Sequence, residues 1–209
     1  MAWQRFRVAD WLVAVMGVAL AACGTEPSPA PSPRVYINEV MSSHNFDYDN
    51  GYGEYPDWIE LYNAGDEDVD LKGYYVGDSA RNRLDERVQT GTVGEPVVVP
   101  AQGFQILWAD GGPVTADPVY GVDGGTQAYP EAEPHLRFKL SAEGEAVWLT
   151  DPNGYVLSYT EFGPFPLADA GNGVASWARF PDGTGEFQWC TKPTFRESNG
   201  SACLGQVVP

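Results

Sequence analysis

Positive charge is scarce in this sequence. Twelve lysines and arginines stand against 29 aspartates and glutamates in 209 residues, a formal net charge of −17. Binding to a nucleic-acid backbone needs a local basic patch. Only Arg81, Arg83 and Arg87 come loosely together, so no nucleic-acid partner is expected, and cations are the natural counterparts of such a surface. Histidine is nearly absent: His44 and His135 are the two copies, far apart and without a metal-binding partner motif. No G-x-S-x-G, H-E-x-x-H, P-loop or dinucleotide-binding glycine fingerprint occurs, which removes the common hydrolase and nucleotide-enzyme signatures. There is no internal repeat and no convincing helical periodicity. Apolar runs are short. The longest, near the N-terminus, has roughly twelve residues where a membrane span needs about 20.

That run reads as a targeting segment. Arg5 and Arg7 precede an apolar stretch from Trp11 to Leu20, and Leu20-Ala21-Ala22-Cys23 follows. The last four residues resemble the lipobox of bacterial lipoproteins. The resemblance implies that residues 1–22 are a signal peptide, that the Cys23 thiol carries the lipid, and that the chain is held to a membrane by that anchor. With Gly24 rather than Asp after the cysteine, it also implies the outer membrane or cell surface of the cell envelope. Residues 23–34 are rich in Pro and Ser and form an extended linker, about 3 Å per residue, with no means of building a core. With Cys23 committed to lipid, the remaining two cysteines, Cys190 and Cys203, read as a disulfide in an exported chain.

Residues 35–205 make one domain's worth of chain. Gly and Pro recur every few residues between short alternating apolar runs, the pattern of an all-β sandwich or barrel. Strands are expected over 35–41, 58–62, 74–76, 97–99, 104–108, 136–140, 146–149, 155–162, 175–180 and 187–190. In the second, Ile59 and Leu61 share one face and Trp58, Glu60 and Tyr62 the other. Asp151-Pro-Asn-Gly154 reads as a hairpin turn, Pro presetting φ and Gly supplying a positive one. Segments 80–95 and 110–135 resist assignment and read as long loops.

Several of these stretches resemble a known family. Val35-Tyr-Ile-Asn-Glu-Val40, Asp57-Trp-Ile-Glu-Leu-Tyr-Asn63, Asp70-Leu-x-Gly-Tyr-Tyr-Val76 with Asp78, Gly103-Phe-Gln-Ile-Leu-Trp-Ala-Asp110, and Phe138-Lys-Leu-Ser141 with Val147-Trp-Leu149 are similar to the lamin-tail domain, and closest to its secreted bacterial branch. The resemblance departs at Gly77 and in the longer segments 80–95 and 111–135. It implies an immunoglobulin-like β-sandwich with long loops, serving as an interaction module for a protein or glycan ligand and not itself a catalyst. Fold analogy does not fix function, so sites must be read separately.

Three sites stand out. The acidic loop Asp47-Tyr-Asp-Asn-Gly-Tyr-Gly-Glu54, followed by Asp57, offers the hard oxygens that calcium needs; Asp47, Asp49, Glu54 and Asp57 are the candidate ligands. A solvated acidic loop is the plain reading of the same residues, and no EF-hand register is present. Glu39 shares parity with Ile37, and Glu60 lies between Trp58 and Tyr62, so both are expected partly buried and in need of partners. They serve either as structural carboxylates accepting backbone N–H bonds from a loop, the favoured reading, or, with Asp57, as the centre of a divalent-metal-dependent hydrolase. Finally, Trp58, Trp108, Trp148, Trp177 and Trp189, with Tyr52, Tyr55, Tyr74 and Tyr75, form either core or a platform for stacking on carbohydrate.

Overall fold

The computed structural model describes residues 34–42, 54–81, 84, 96–111, 134–166 and 175–203. Among the described residues ten strands are formed: β1 Val35–Met41, β2 Asp57–Asn63, β3 Val69–Asp70, β4 Tyr75–Gly77, β5 Val98–Val99, β6 Phe104–Ala109, β7 Glu145–Thr150, β8 Val156–Phe162, β9 Ser176–Phe180 and β10 Glu186–Cys190. One helical turn, α1 Gly200–Cys203, follows. The strands make a five-stranded sheet in the order β10-β9-β1-β2-β6, a three-stranded sheet β4-β7-β8 and a two-stranded ribbon β3-β5; all strand pairings are antiparallel. The architecture is an immunoglobulin-like β-sandwich.

The main core lies between the five-stranded and three-stranded sheets. Ile37, Val40, Ile59, Leu61 and Leu107 from one meet Val76, Val147 and Leu149 from the other, all fully buried. Burial of this apolar surface does most to hold the layers together. At one side of the sandwich β8 lies beside β1, where Ile37 N donates to Ser158 Oγ at 3.0 Å, and is tied to β9 by the Trp177 indole, which donates to Thr160 Oγ1 at 2.8 Å.

The turn at 151–154 has the expected chemistry. Gly154 takes φ +87°, its N–H donates to Asp151 O, and Asp151 Oδ1 accepts the N–H groups of Asn153 and Tyr155. Residues 136–140, expected as a strand, make only isolated bridges. Their backbone is engaged elsewhere: Leu136 N donates to Trp108 O, and Leu140 N to the Asp57 carboxylate at 3.0 Å, so no continuous ladder forms.

A second departure concerns β1. Ile37 pairs with Leu61, but Glu39 pairs with Glu60, so two steps on β1 match one on β2. Asn38 is the extra residue of a β-bulge. Ile37 and Val40 therefore both face the sandwich core, while Glu39 leaves the face of Ile37 and joins Glu60 on the opposite side of the sheet. Simple alternation assigns Glu39 to the wrong face, because one inserted residue shifts every later side chain.

Candidate functional site

The outer face of the five-stranded sheet is covered by the chain's own C-terminal segment. After β10 the backbone runs back across β9, β1 and β2, and Cys203 returns to β10 through a disulfide with Cys190, 13 residues away. Residues 191–203 thus form a closed strap. Phe195 lies over Trp58, edge to face with ring centroids 5.4 Å apart, and beside Trp108 at 5.6 Å. Beneath it are Met41 and Ile106, both fully buried.

Beside this aromatic patch is a buried polar cluster. Glu39 and Glu60, direct cross-strand partners, are both at 0% exposure. Thr194 donates its N–H to Glu39 Oε1 and Oε2 at 3.2 and 3.1 Å, and its Oγ1 lies 3.0 Å from Oε2. Arg196 N donates to Glu60 Oε2 at 2.6 Å, with φ +61°, a left-handed backbone uncommon outside glycine. Asn38 Nδ2 donates to Glu60 Oε1 at 3.2 Å and to Asp182 Oδ1 at 3.1 Å, and Asn38 Oδ1 accepts Gly183 N. Asn199 ties the strap to the sheet, its Nδ2 donating to Asn38 O and Arg179 O and its Oδ1 meeting Thr194 Oγ1. The β9–β10 turn closes the cluster over Tyr36 and Tyr62. A Cβ at Gly183, φ +70°, would come within 2.9 Å of the Tyr62 ring.

Burial governs the electrostatics of the pair. Removal from water raises the Glu39 carboxyl to about 7, against the lowering effect of hydrogen bonds from Ser176 and Thr194. Burial, and then the charge of Glu39 across the strand pair, raise Glu60 well above the ordinary range. Among the described residues no lysine, arginine or histidine is ion-paired with either acid.

Of the residues proposed for metal-assisted hydrolysis, the structure brings Glu39 and Glu60 together but not Asp57. Asp57 shares the face of Ile59, opposite to Glu60, and one of its oxygens accepts Leu140 N. In the acidic loop, Asp47 and Asp49 lie outside the described residues, as does His44; Glu54 is exposed and Asp57 half-buried. Among the described residues no group of three or more acidic, histidine or cysteine side chains is placed to hold a metal ion. Cys23 also lies outside them.

The aromatic residues divide. Trp58, Trp108 and Tyr74 are core, and Trp177 and Trp189 are half-buried against it; Tyr52 is outside the described residues. Among the described residues the exposed rings are Tyr55, just before β2, and a set at the three-stranded sheet: Tyr159 at 42% exposure beside Trp148, ring centroids 4.9 Å apart, with Tyr155, just before β8, at 71%. Tyr159 OH donates to Glu161.

Reading of the sequence does not single out Asn38, Thr194, Asn199 or the Asp110–His135 pair. His135 Nδ1 and Asp110 Oδ2 form a hydrogen bond 2.5 Å long, both side chains nearly buried. Asn38 lies in the first lamin-tail-like stretch, and a polar residue inside so apolar a strand is the available signal. Thr194 and Asn199 carry none of their own; only the disulfide loop enclosing them hints at a role.

No curated protein matches the chain. The lamin tail domain family model matches residues 28–163, spanning β1 to β8, while β9, β10 and the strap lie beyond it. With that match over more than half of the sequence and a β-sandwich built from the same stretches, the chain belongs to the lamin tail domain family.

Proposed function

We propose that the chain is a non-enzymatic binding or structural module of the cell envelope, tethered through a lipid on Cys23 and probing its surroundings at the end of the 23–34 linker. One observation carries the non-enzymatic reading. The carboxylate pair nominated for chemistry is buried at 0% exposure and engaged by donors from the strap, so it meets no substrate and acts on the fold. The location rests on the sequence around Cys23. Membrane fractionation checks it: Cys23→Ser should move the protein from the membrane to the soluble fraction, and membrane retention of that variant would refute the anchor.

Calcium bound by Asp47, Asp49, Glu54 and Asp57 belongs to the same reading as a stabiliser of the 47–57 loop. It predicts a higher melting temperature in calcium than in chelator, lost in Asp49→Ala; superimposable curves would remove calcium from the account.

A second reading is favoured by the three-stranded sheet. Trp148 and Tyr159 lie side by side with the Glu161 carboxylate adjacent, a surface suited to stacking on a sugar ring and accepting its hydroxyls. Titration with an oligosaccharide panel, following tryptophan fluorescence, separates the readings. A saturable change lost in Tyr159→Ala supports carbohydrate binding, and a flat response across the panel leaves a protein ligand.

A further inference from the structure

The hydrogen bonds under the strap leave one proton unaccounted for. The Asn199 amide is oriented by two carbonyls, Asn38 O and Arg179 O, which accept from its Nδ2. Its Oδ1 is therefore the group facing Thr194 Oγ1, and it can only accept. The single hydroxyl proton of Thr194 goes there. Yet Thr194 Oγ1 is also 3.0 Å from Glu39 Oε2. With the hydroxyl proton already committed, that contact is a hydrogen bond only if the carboxyl supplies the hydrogen. Glu60 differs in its partners: its two oxygens accept from two separate nitrogen donors, Asn38 and Arg196, whereas those of Glu39 share the single Thr194 N–H and Oε2 meets the Thr194 hydroxyl as well.

We propose that Glu39 is a neutral carboxylic acid that donates to Thr194, that the Glu39–Glu60 pair holds one proton in the closed molecule, and that this proton fastens the strap 191–203 over the sheet. Losing it places two negative charges on directly paired residues under the strap, with a third carboxylate, Asp182, beside them. The other charged groups at the cluster are few. Arg196 lays its guanidinium over the Phe195 ring, and Arg179 turns to Ile37 O, Gly185 O and the Phe187 ring. Lys192 and Glu197 are exposed. Burial raises both acids, but the bond directions seat the proton on Glu39, and a neutral Glu39 removes one of the charges that, after burial, raise Glu60. Arg196 is held in its left-handed backbone by the bond to Glu60, so the strap carries local strain that opening would relax. The disulfide retains both ends, and opening uncovers Trp58 and Trp108 without releasing the segment.

Hydrogen exchange of the full-length chain, read by mass spectrometry and corrected for intrinsic rates, tests this. Between the ordinary carboxylate range and about 7 the opening constant of the strap should rise by up to about tenfold per pH unit, roughly fortyfold from pH 5 to pH 7. In Glu39→Gln, whose amide nitrogen donates where the acid did, the rise should vanish; in Glu60→Gln it should persist. A pH-independent strap in the wild type, a slope surviving in Glu39→Gln, or equal opening of the β2 peptide overturns the proposal. Should Glu39→Gln fail to fold, infrared spectroscopy of the wild type decides. A protonated-carboxyl carbonyl band at pH 6 that is lost at high pH supports the proposal, and its absence at pH 6 refutes it.

Discussion

The two faces of the five-stranded sheet are buried by different means. The inner face presents Ile37, Val40, Ile59 and Leu61 to a second sheet, and apolar contact of that kind is non-directional and indifferent to pH. The outer face presents Asn38, Glu39 and Glu60 beside Trp58 and Met41 to a strap of the same chain. There the polar groups are held by directed hydrogen bonds, and each must find its partner or impose a desolvation cost. The family model covers the strands that build the inner core and stops before the strap. The contrast teaches that the same two strands can be sealed by apolar packing on one side and by directed hydrogen bonds to a strap on the other.

The largest effect should come from the inner face. Ile59→Ala removes a fully buried side chain from the main core and should cost about 2–5 kcal/mol in denaturant unfolding. The loss should be the same at pH 5 and pH 8. A loss that varied with pH would mean that the two faces are coupled, and the comparison would fail.

Next is the pH response of the outer face. A carboxyl whose proton is held more tightly in the folded chain stabilises the fold only while the proton stays. Stability should therefore be full below the ordinary carboxylate range and decline as pH rises to about 7, by on the order of 3 kcal/mol. The sign is opposite to that of a salt-bridged acid. Chemical denaturation at half-unit pH intervals checks it, and Glu39→Gln should flatten the profile while leaving the Ile59→Ala cost unchanged. Opening the disulfide ranks third. Paired Cys190→Ser and Cys203→Ser substitutions release a loop slightly shorter than one that stabilises by about 3 kcal/mol. Their effect should concentrate in exchange at 191–203 and spare the β7–β8 amides; uniform loosening would show that the strap is no separate unit.

The inner face was legible in the sequence. Period-two alternation in β2 assigned Ile59 and Leu61 to one side, and turn chemistry at 151–154 joined β7 to β8, because both signals are local. The outer face was legible only in part. Alternation had no means of registering the bulge at Asn38, which leaves no mark on composition but reverses Glu39. Partners were further out of reach: Thr194 meets Glu39 across 155 positions and Arg196 meets Glu60 across 136. A buried acid announces that it needs donors, not where along the chain they lie. The segment 136–140 misled for a related reason, since its apolar alternation is real while its backbone bonds go to Trp108 and Asp57.

The smallest expected effect on stability belongs to a third surface and tests whether the other two are purely structural. Tyr159 stands on the exposed side of β8, where alternate residues Ser158 and Thr160 face inward. Its ring touches Trp148 and its hydroxyl donates to Glu161, both near solvent. Tyr159→Ala should therefore change unfolding by no more than about 0.5 kcal/mol, as for surface positions generally, and should leave the pH profile of the strap untouched. A ring retained at 42% exposure with no stabilising role is a ring available for contact. If the variant unfolds as easily as a core mutant, Tyr159 is part of the sandwich and the three-stranded sheet loses its claim as a binding face. If stability holds while ligand capture is lost, recognition resides on that sheet, and the inner core and the strap serve to hold it rigid.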